Sequence, residues 1–193
     1  MVAHPLPMTP NGSEVIRLNA TIQDLVNTPH DGCRYELLKG VLLRMPPPQE
    51  AHGLIGSFLI EALAPYCRTH HLRSNLVTDI GYELQWGGNA PIVLAPDVSI
   101  FRIPKAAGVT YSPDAPLLAV EIASPSQSHP YFNDKAEYYL FAGTSMVWVV
   151  WPATQTVDVW TPPATSVILS LHDTLDGGTV LPGLSIAIAD IFS

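Results

Sequence analysis

Leu117-Leu118-Ala119-Val120-Glu121-Ile122-Ala123 is apolar at every position but one. So short a run, stopped by Ser124-Pro125-Ser126, reads as a strand covered on both faces, since a strand covered on one face alternates apolar with polar residues. Glu121 is then the anomaly, because a desolvated carboxylate loses much of its hydration energy unless something compensates it. A second acid, Asp97, stands in the preceding apolar run at Ala95-Pro96-Asp97-Val98, and Lys135 follows in Asn133-Asp134-Lys135-Ala136-Glu137-Tyr138-Tyr139. Two acids in apolar strands and a lysine close behind them read as a metal-dependent site for phosphodiester cleavage, with a divalent cation compensating both carboxylates.

Outward from this strand, Lys135 is placed on a helix over about residues 132–142 that Gly143 closes. Met146 to Trp151 and Thr156 to Trp160 read as strands joined by Pro152-Ala153-Thr154, and a shorter strand near 166–171 leads into a C-terminal tail. On the N-terminal side, residues 76–86 and 92–101 read as a strand pair joined across Gly87-Gly88-Asn89, with Asp97 inside the second strand. Glu50 to His70 carries Leu54, Ile55, Phe58, Leu59, Ala62, Leu63 and Tyr66 at helical spacing, with a kink expected at Pro65. Tyr35 to Met45 reads as a hairpin turning at Lys39-Gly40, and Thr21 caps a short helix that stops before Pro29. Residues 1–19 are expected to form a loose arm, and 20–193 a single domain. A long helix ahead of several strands, with a later helix between strands, predicts an α/β (α+β) architecture with a mixed central sheet flanked by helices.

The composition limits the function. The chain has 193 residues, enough for one real core, with 47% hydrophobic and only 13% charged residues, against roughly 25% charged in an ordinary soluble protein. That shortage, with Trp148, Trp151 and Trp160, leads to the expectation of a homo-oligomer, a dimer. No run approaches the roughly 18–20 apolar residues that span a bilayer, and Met1-Val2-Ala3-His4-Pro5-Leu6-Pro7 lacks a basic region followed by an apolar one, so a cytoplasmic protein without a membrane partner is expected. Cys33 and Cys67 are not at metal-ligand spacing and read as ordinary thiols. The net charge of −8 argues against tight, sequence-independent hold on phosphates, which needs clustered cations. The basic residues are scattered as well: Arg34, Lys39 and Arg44 near the first hairpin, Arg68 and Arg73 near a helix end, Arg102 and Lys105 after the central acid. Nucleic acid, with DNA the expected polymer, would be held weakly.

Arg34-Tyr35-Glu36-Leu37-Leu38-Lys39-Gly40, then Glu50-Ala51-His52, Pro96-Asp97-Val98, Val120-Glu121-Ile122-Ala123-Ser124-Pro125-Ser126 and Lys135 with Tyr139 stand in an order that resembles the Uma-two type restriction endonuclease family, part of the PD-(D/E)xK nuclease superfamily. The resemblance covers about residues 20–192. It implies a restriction-endonuclease-like core with an N-terminal β-hairpin, a Mg²⁺ or Mn²⁺ cofactor, and endonuclease hydrolysis of nucleic-acid phosphodiester bonds. Asp97 and Glu121 would hold the metal, joined by the backbone carbonyl of Ile122. Lys135 would act from the helix, since Ala123 occupies the position two residues after the second acid, where the superfamily pattern puts its lysine. Glu36 and His52 lie at family-matching positions and would complete the site as a further ligand or a water-positioning base.

Each residue also has a plainer reading. Asp97 can cap a strand or pair with Arg102, Lys135 can be a solvated helix lysine beside Asp134 and Glu137, Glu36 a solvent-facing strand carboxylate, and His52 a helix-start histidine. Tyr131, Tyr138 and Tyr139 fit core or interface packing better than base stacking. After Ser126, Gln127-Ser128-His129-Pro130-Tyr131-Phe132 replaces basic residues usual in the family, which removes phosphate contacts. Two other functions stay open: a non-catalytic, homo-oligomeric or partner-binding module of the same fold, and hydrolysis of a small phosphodiester.

Overall fold

The computed structural model describes residues 12–102 and 108–193; Lys105 and residues 1–11 lie outside them. The chain opens with strand β1 (Glu14–Arg17), helix α1 (Ile22–Val26) and the hairpin β2 (Tyr35–Leu38) and β3 (Val41–Arg44). Thr21 and Asp24 form a reciprocal capping box at the start of α1. Lys39 and Gly40 both have positive φ, as a two-residue hairpin loop of matching twist requires. Where a loose arm was expected over 1–19, Glu14–Arg17 instead pairs antiparallel with β3.

Helix α2 (Glu50–Thr69) contains Pro65 in its last turns. It leads through a 3₁₀ turn to β4 (Leu76–Thr78), β5 (Tyr82–Glu83), β6 (Val93–Leu94) and β7 (Val98–Ile100). Two continuous strands were expected here, and both are broken. β5 and β6 pair in one sheet, while β4 and β7 pair in another. The breaks fall at 79–81, where Asp79 has a φ of 52°, and at Ala95-Pro96-Asp97, where proline lacks the N–H a ladder needs. Asp97 thus lies in the crossing between sheets, one residue before β7, and not inside a strand.

Then come β8 (Leu118–Ile122), α3 (His129–Phe141), β9 (Met146–Trp151), β10 (Thr156–Thr161) and β11 (Thr165–Leu169). The larger sheet runs β11-β10-β9-β8-β7-β4, parallel only between β8 and β9, which α3 connects. The smaller sheet runs β1-β3-β2-β6-β5. Helix α3 starts three residues ahead of the expected 132 because Pro130 is tolerated in a first helical turn.

The C-terminal tail carries two more strands and a short helix. β12 (Thr174–Asp176) pairs with β13 (Ser185–Ala187), and α4 (Ile188–Ile191) follows. Leu175, Leu184, Ile186, Ile188 and Ile191 join Ile55, Leu59 and Leu63 of α2 on one face of the larger sheet. On the other face Ala119, Val147, Val149 and Trp151 meet Phe132, Ala136, Tyr139 and Leu140 of α3. Trp148, Trp151 and Trp160 are all buried in these cores, so they offer no apolar surface to a second subunit. Among the described residues, no helix is long and apolar enough to cross a membrane. Ile188→Ala should cost about 2–4 kcal/mol, since the isoleucine is fully buried, and urea unfolding would read it. A loss under about 0.5 kcal/mol would show that the tail is not part of the core.

Candidate active site

Side chains along β8 alternate between the two faces of the sheet. Leu118, Val120 and Ile122 therefore meet α2, and Ala119 meets α3. Glu121 shares the face of Ala119. That parity aims its carboxylate at α3, where Lys135 and Tyr139, one helical turn apart, point back at the sheet. Lys135 Nζ lies 2.8 Å from Glu121 Oε1, and the Tyr139 hydroxyl donates to the same oxygen at 2.9 Å. Behind Lys135 stands Glu36 of β2, wholly buried, with both carboxylate oxygens 3.2 and 3.3 Å from Nζ. The Tyr131 hydroxyl reaches the Glu36 carboxylate at 3.5 Å. Lys135 is thus no solvated helix lysine, and Glu36 is no solvent-facing strand residue.

Asp97 forms the second half of the site. Its Oδ2 accepts the Ile122 N–H at 2.7 Å, which places the Ile122 peptide between the two acids. Its Oδ1 accepts from Arg34 Nη1 at 2.7 Å and lies 3.2 Å from His52 Nε2 in the first turn of α2. Nδ1 of His52 is buried and without a hydrogen-bond partner. Arg34 also reaches Asp79 at 3.3 Å. Arg102, the alternative partner for Asp97, instead donates to the Gly143 carbonyl and the Ser145 hydroxyl.

The two halves share a cavity of about 980 Å³. Arg34, His52, Asp79, Asp97, Glu121, Ile122 and Lys135 line it, whereas Glu36 does not. All six candidate site residues therefore come together, Asp97, Glu121, Ile122, Lys135 and His52 at the cavity wall and Glu36 as the support behind Lys135. Arg34, Asp79 and Tyr139 were not assigned to the site from sequence. One signal for Arg34 was present: it precedes Glu36 by two residues, and strand alternation puts such neighbours on one face.

The electrostatics follow from burial and pairing. Burial alone would lower the Lys135 pKa, but the charges of Glu121 and Glu36 hold it above the usual lysine value. Burial would raise the Asp97 carboxyl; the His52 hydrogen bond and the Arg34 charge outweigh it and bring it to about 2. Burial pushes Glu121 up to about 7, with Lys135 opposing and Glu36 and Asp97 reinforcing the shift. Two carboxylates share one ammonium, so the second of them is the harder to ionise.

Glu121 titrates higher in the folded protein than at its ordinary 4.5, so the folded state holds a proton that the unfolded state releases. The associated stability is complete below about pH 4.5 and is lost as pH rises through about 7, with a size on the order of 3 kcal/mol. Urea midpoints of metal-free protein should fall over that window, and Glu121→Gln should flatten the fall. An unchanged slope in the variant would assign the pH dependence to another group.

The mixed sheet thus carries one acid at the crossing between sheets and one on the neighbouring strand, with a lysine reaching in from the following helix. Residues 22–189 match the model of the Uma2 family, described as "Putative restriction endonuclease", and the chain belongs to that family. A crystal structure from Anabaena variabilis, described as "a putative nuclease belonging to DUF820", aligns with a TM-score of 0.76. The two are 23% identical, over 89% of this chain and 97% of that one. The likeness supports the expected restriction-endonuclease-like α+β fold. No curated protein matches the chain.

Proposed function

We propose that the cavity is the active site of a metal-dependent endonuclease that hydrolyses nucleic-acid phosphodiester bonds, with Mg²⁺ or Mn²⁺ as cofactor. The observation that carries this reading is that Asp97, Glu121 and Lys135 line one cavity, with the Ile122 peptide tied to Asp97 by a 2.7 Å hydrogen bond. The donor set fits a hard cation. Among the described residues, no three His, Cys, Asp or Glu side chains gather as a protein-only metal cage. Mg²⁺ does not need one, since it keeps several waters and takes only one or two carboxylates beside the substrate phosphate. Asp97, Glu121 and the Ile122 carbonyl would hold it. Such an ion polarises the phosphate and lowers the pKa of a bound water.

The protein's own groups supply the rest. Lys135 stays charged and is fixed by Glu36, so its ammonium can face charge building on the phosphate without reorganising. His52 orients Asp97 through Nε2. Grip on a polymer should be weak, because the permanent cations lining the cavity, Arg34 and Lys135, are both paired with carboxylates. The assay is a panel of single-stranded DNA, duplex DNA, RNA and small phosphodiesters with Mn²⁺ or Mg²⁺, against the same panel with a chelator. Metal-dependent cleavage of a polymer is expected; cleavage of small diesters alone would reassign the substrate. No cleavage of any of them would favour a second reading, a non-catalytic module, which the closed Glu36–Lys135–Glu121 network would serve as a purely structural element.

A further inference from the structure

We propose that Arg34 is the resident counter-ion of Asp97, a positioning residue that an arriving divalent cation displaces; the inference rests on the metal reading above. Both Asp97 oxygens are engaged: Oδ2 by the Ile122 N–H, and Oδ1 by Arg34 and His52. Oδ1 already faces two donors, so a cation that ligates this oxygen must replace Arg34 or His52. The Ile122 N–H belongs to a central strand, and His52 is rooted in the first turn of a long helix.

Arg34 is the partner free to leave. It stands just ahead of β2, its side chain is 27% exposed, and it lines the cavity. A second carboxylate waits within reach: Asp79 Oδ1 lies 3.3 Å from the same Nη1 and its side chain is 64% exposed. A guanidinium and a divalent cation on one carboxylate oxygen repel each other, so the two compete for Oδ1. With the metal absent, Arg34 neutralises Asp97. With it present, Arg34 rests on Asp79 at the cavity wall, where its fork can meet a phosphate. Grip on substrate thereby depends on the metal being in place.

The test is calorimetric titration of Mn²⁺ into the full chain as wild type, Arg34→Met, Asp79→Asn and the double variant. Removing one competing charge-assisted contact should tighten Mn²⁺ binding in Arg34→Met by about tenfold. Asp79→Asn should weaken binding when Arg34 is present and have no effect in the Arg34→Met background, because its role is to receive the guanidinium. Equal or weaker Mn²⁺ binding by folded Arg34→Met overturns the proposal. If that variant does not fold, a Mn²⁺-bound crystal structure of the wild type decides: Arg34 on Asp79 supports displacement, and Arg34 still on Asp97 beside the ion overturns it. Absence of Mn²⁺ binding by the wild type would instead remove the metal reading, and this inference with it.

Discussion

Lys135→Met should destabilise the protein by about 3–5 kcal/mol at pH 8, the largest single-residue loss expected outside the apolar core. The side chain is 1% exposed and its ammonium is the shared partner of Glu36 and Glu121. Methionine keeps much of the volume and removes the charge, which leaves two buried carboxylates facing each other. Those acids can escape by taking protons, so the loss should shrink markedly at pH 5. Adding Glu36→Gln to Lys135→Met should recover part of it, since one of the stranded charges is gone. Lys39 is a useful control. It is exposed at the hairpin turn with its ammonium 4.9 and 4.6 Å from the Trp86 and Tyr138 rings, and Lys39→Met should cost no more than about 1 kcal/mol. Urea titrations at both pH values check the set. A Lys135→Met loss below about 1 kcal/mol would mean that the buried acids are compensated by something else.

Asp97→Asn should reduce metal-dependent cleavage by on the order of 10³-fold or more, because loss of a ligand carboxylate must exceed the 10–100-fold typical of an outer partner. The substitution is nearly isosteric, and the amide oxygen can still accept the Ile122 N–H, so the fold should survive. Its stability effect has a distinct pH signature. The Asp97 carboxyl titrates near 2, below its ordinary 3.8, so its contribution is present above about pH 4 and is lost as pH falls through 2. Asp97→Asn should therefore lower stability at neutral pH and lose part of the wild-type acid transition. Cleavage within tenfold of wild type in the folded variant would remove Asp97 from the site.

Much of this arrangement was legible in the sequence, and the reasons are local. One acid in the apolar run Leu118–Ile122 marked β8 as special, and strand alternation fixed the face on which Glu121 lies. Lys135, on the very next helix, could hardly be far away. Glu36 was harder: alternation supplies a face, but whether that face meets water or α3 depends on how the two sheets pack. Asp97 was found for its chemistry but placed wrongly within a strand, because the run over 92–101 gives no warning that β6 and β7 belong to different sheets, apart from Pro96. Asp79 was missed for the same reason, its left-handed backbone marking the opposite break. The three tryptophans, counted in the sequence toward an interface, lie in the cores. Aromatic residues suit interfaces and cores equally, and here β9 and β10 bury all of them. The C-terminal strands escaped notice because their apolar residues are separated by turns and gain their cover only from α2.

Calorimetric titration of Mn²⁺ into the wild type and Asp97→Ala tests most directly whether Asp97 and Glu121 form a divalent cation site. The wild type should bind, more tightly as pH rises toward 7 because the cation needs Glu121 ionised, and Asp97→Ala should not bind measurably. No binding by either protein, or equal binding by both, would contradict such a site.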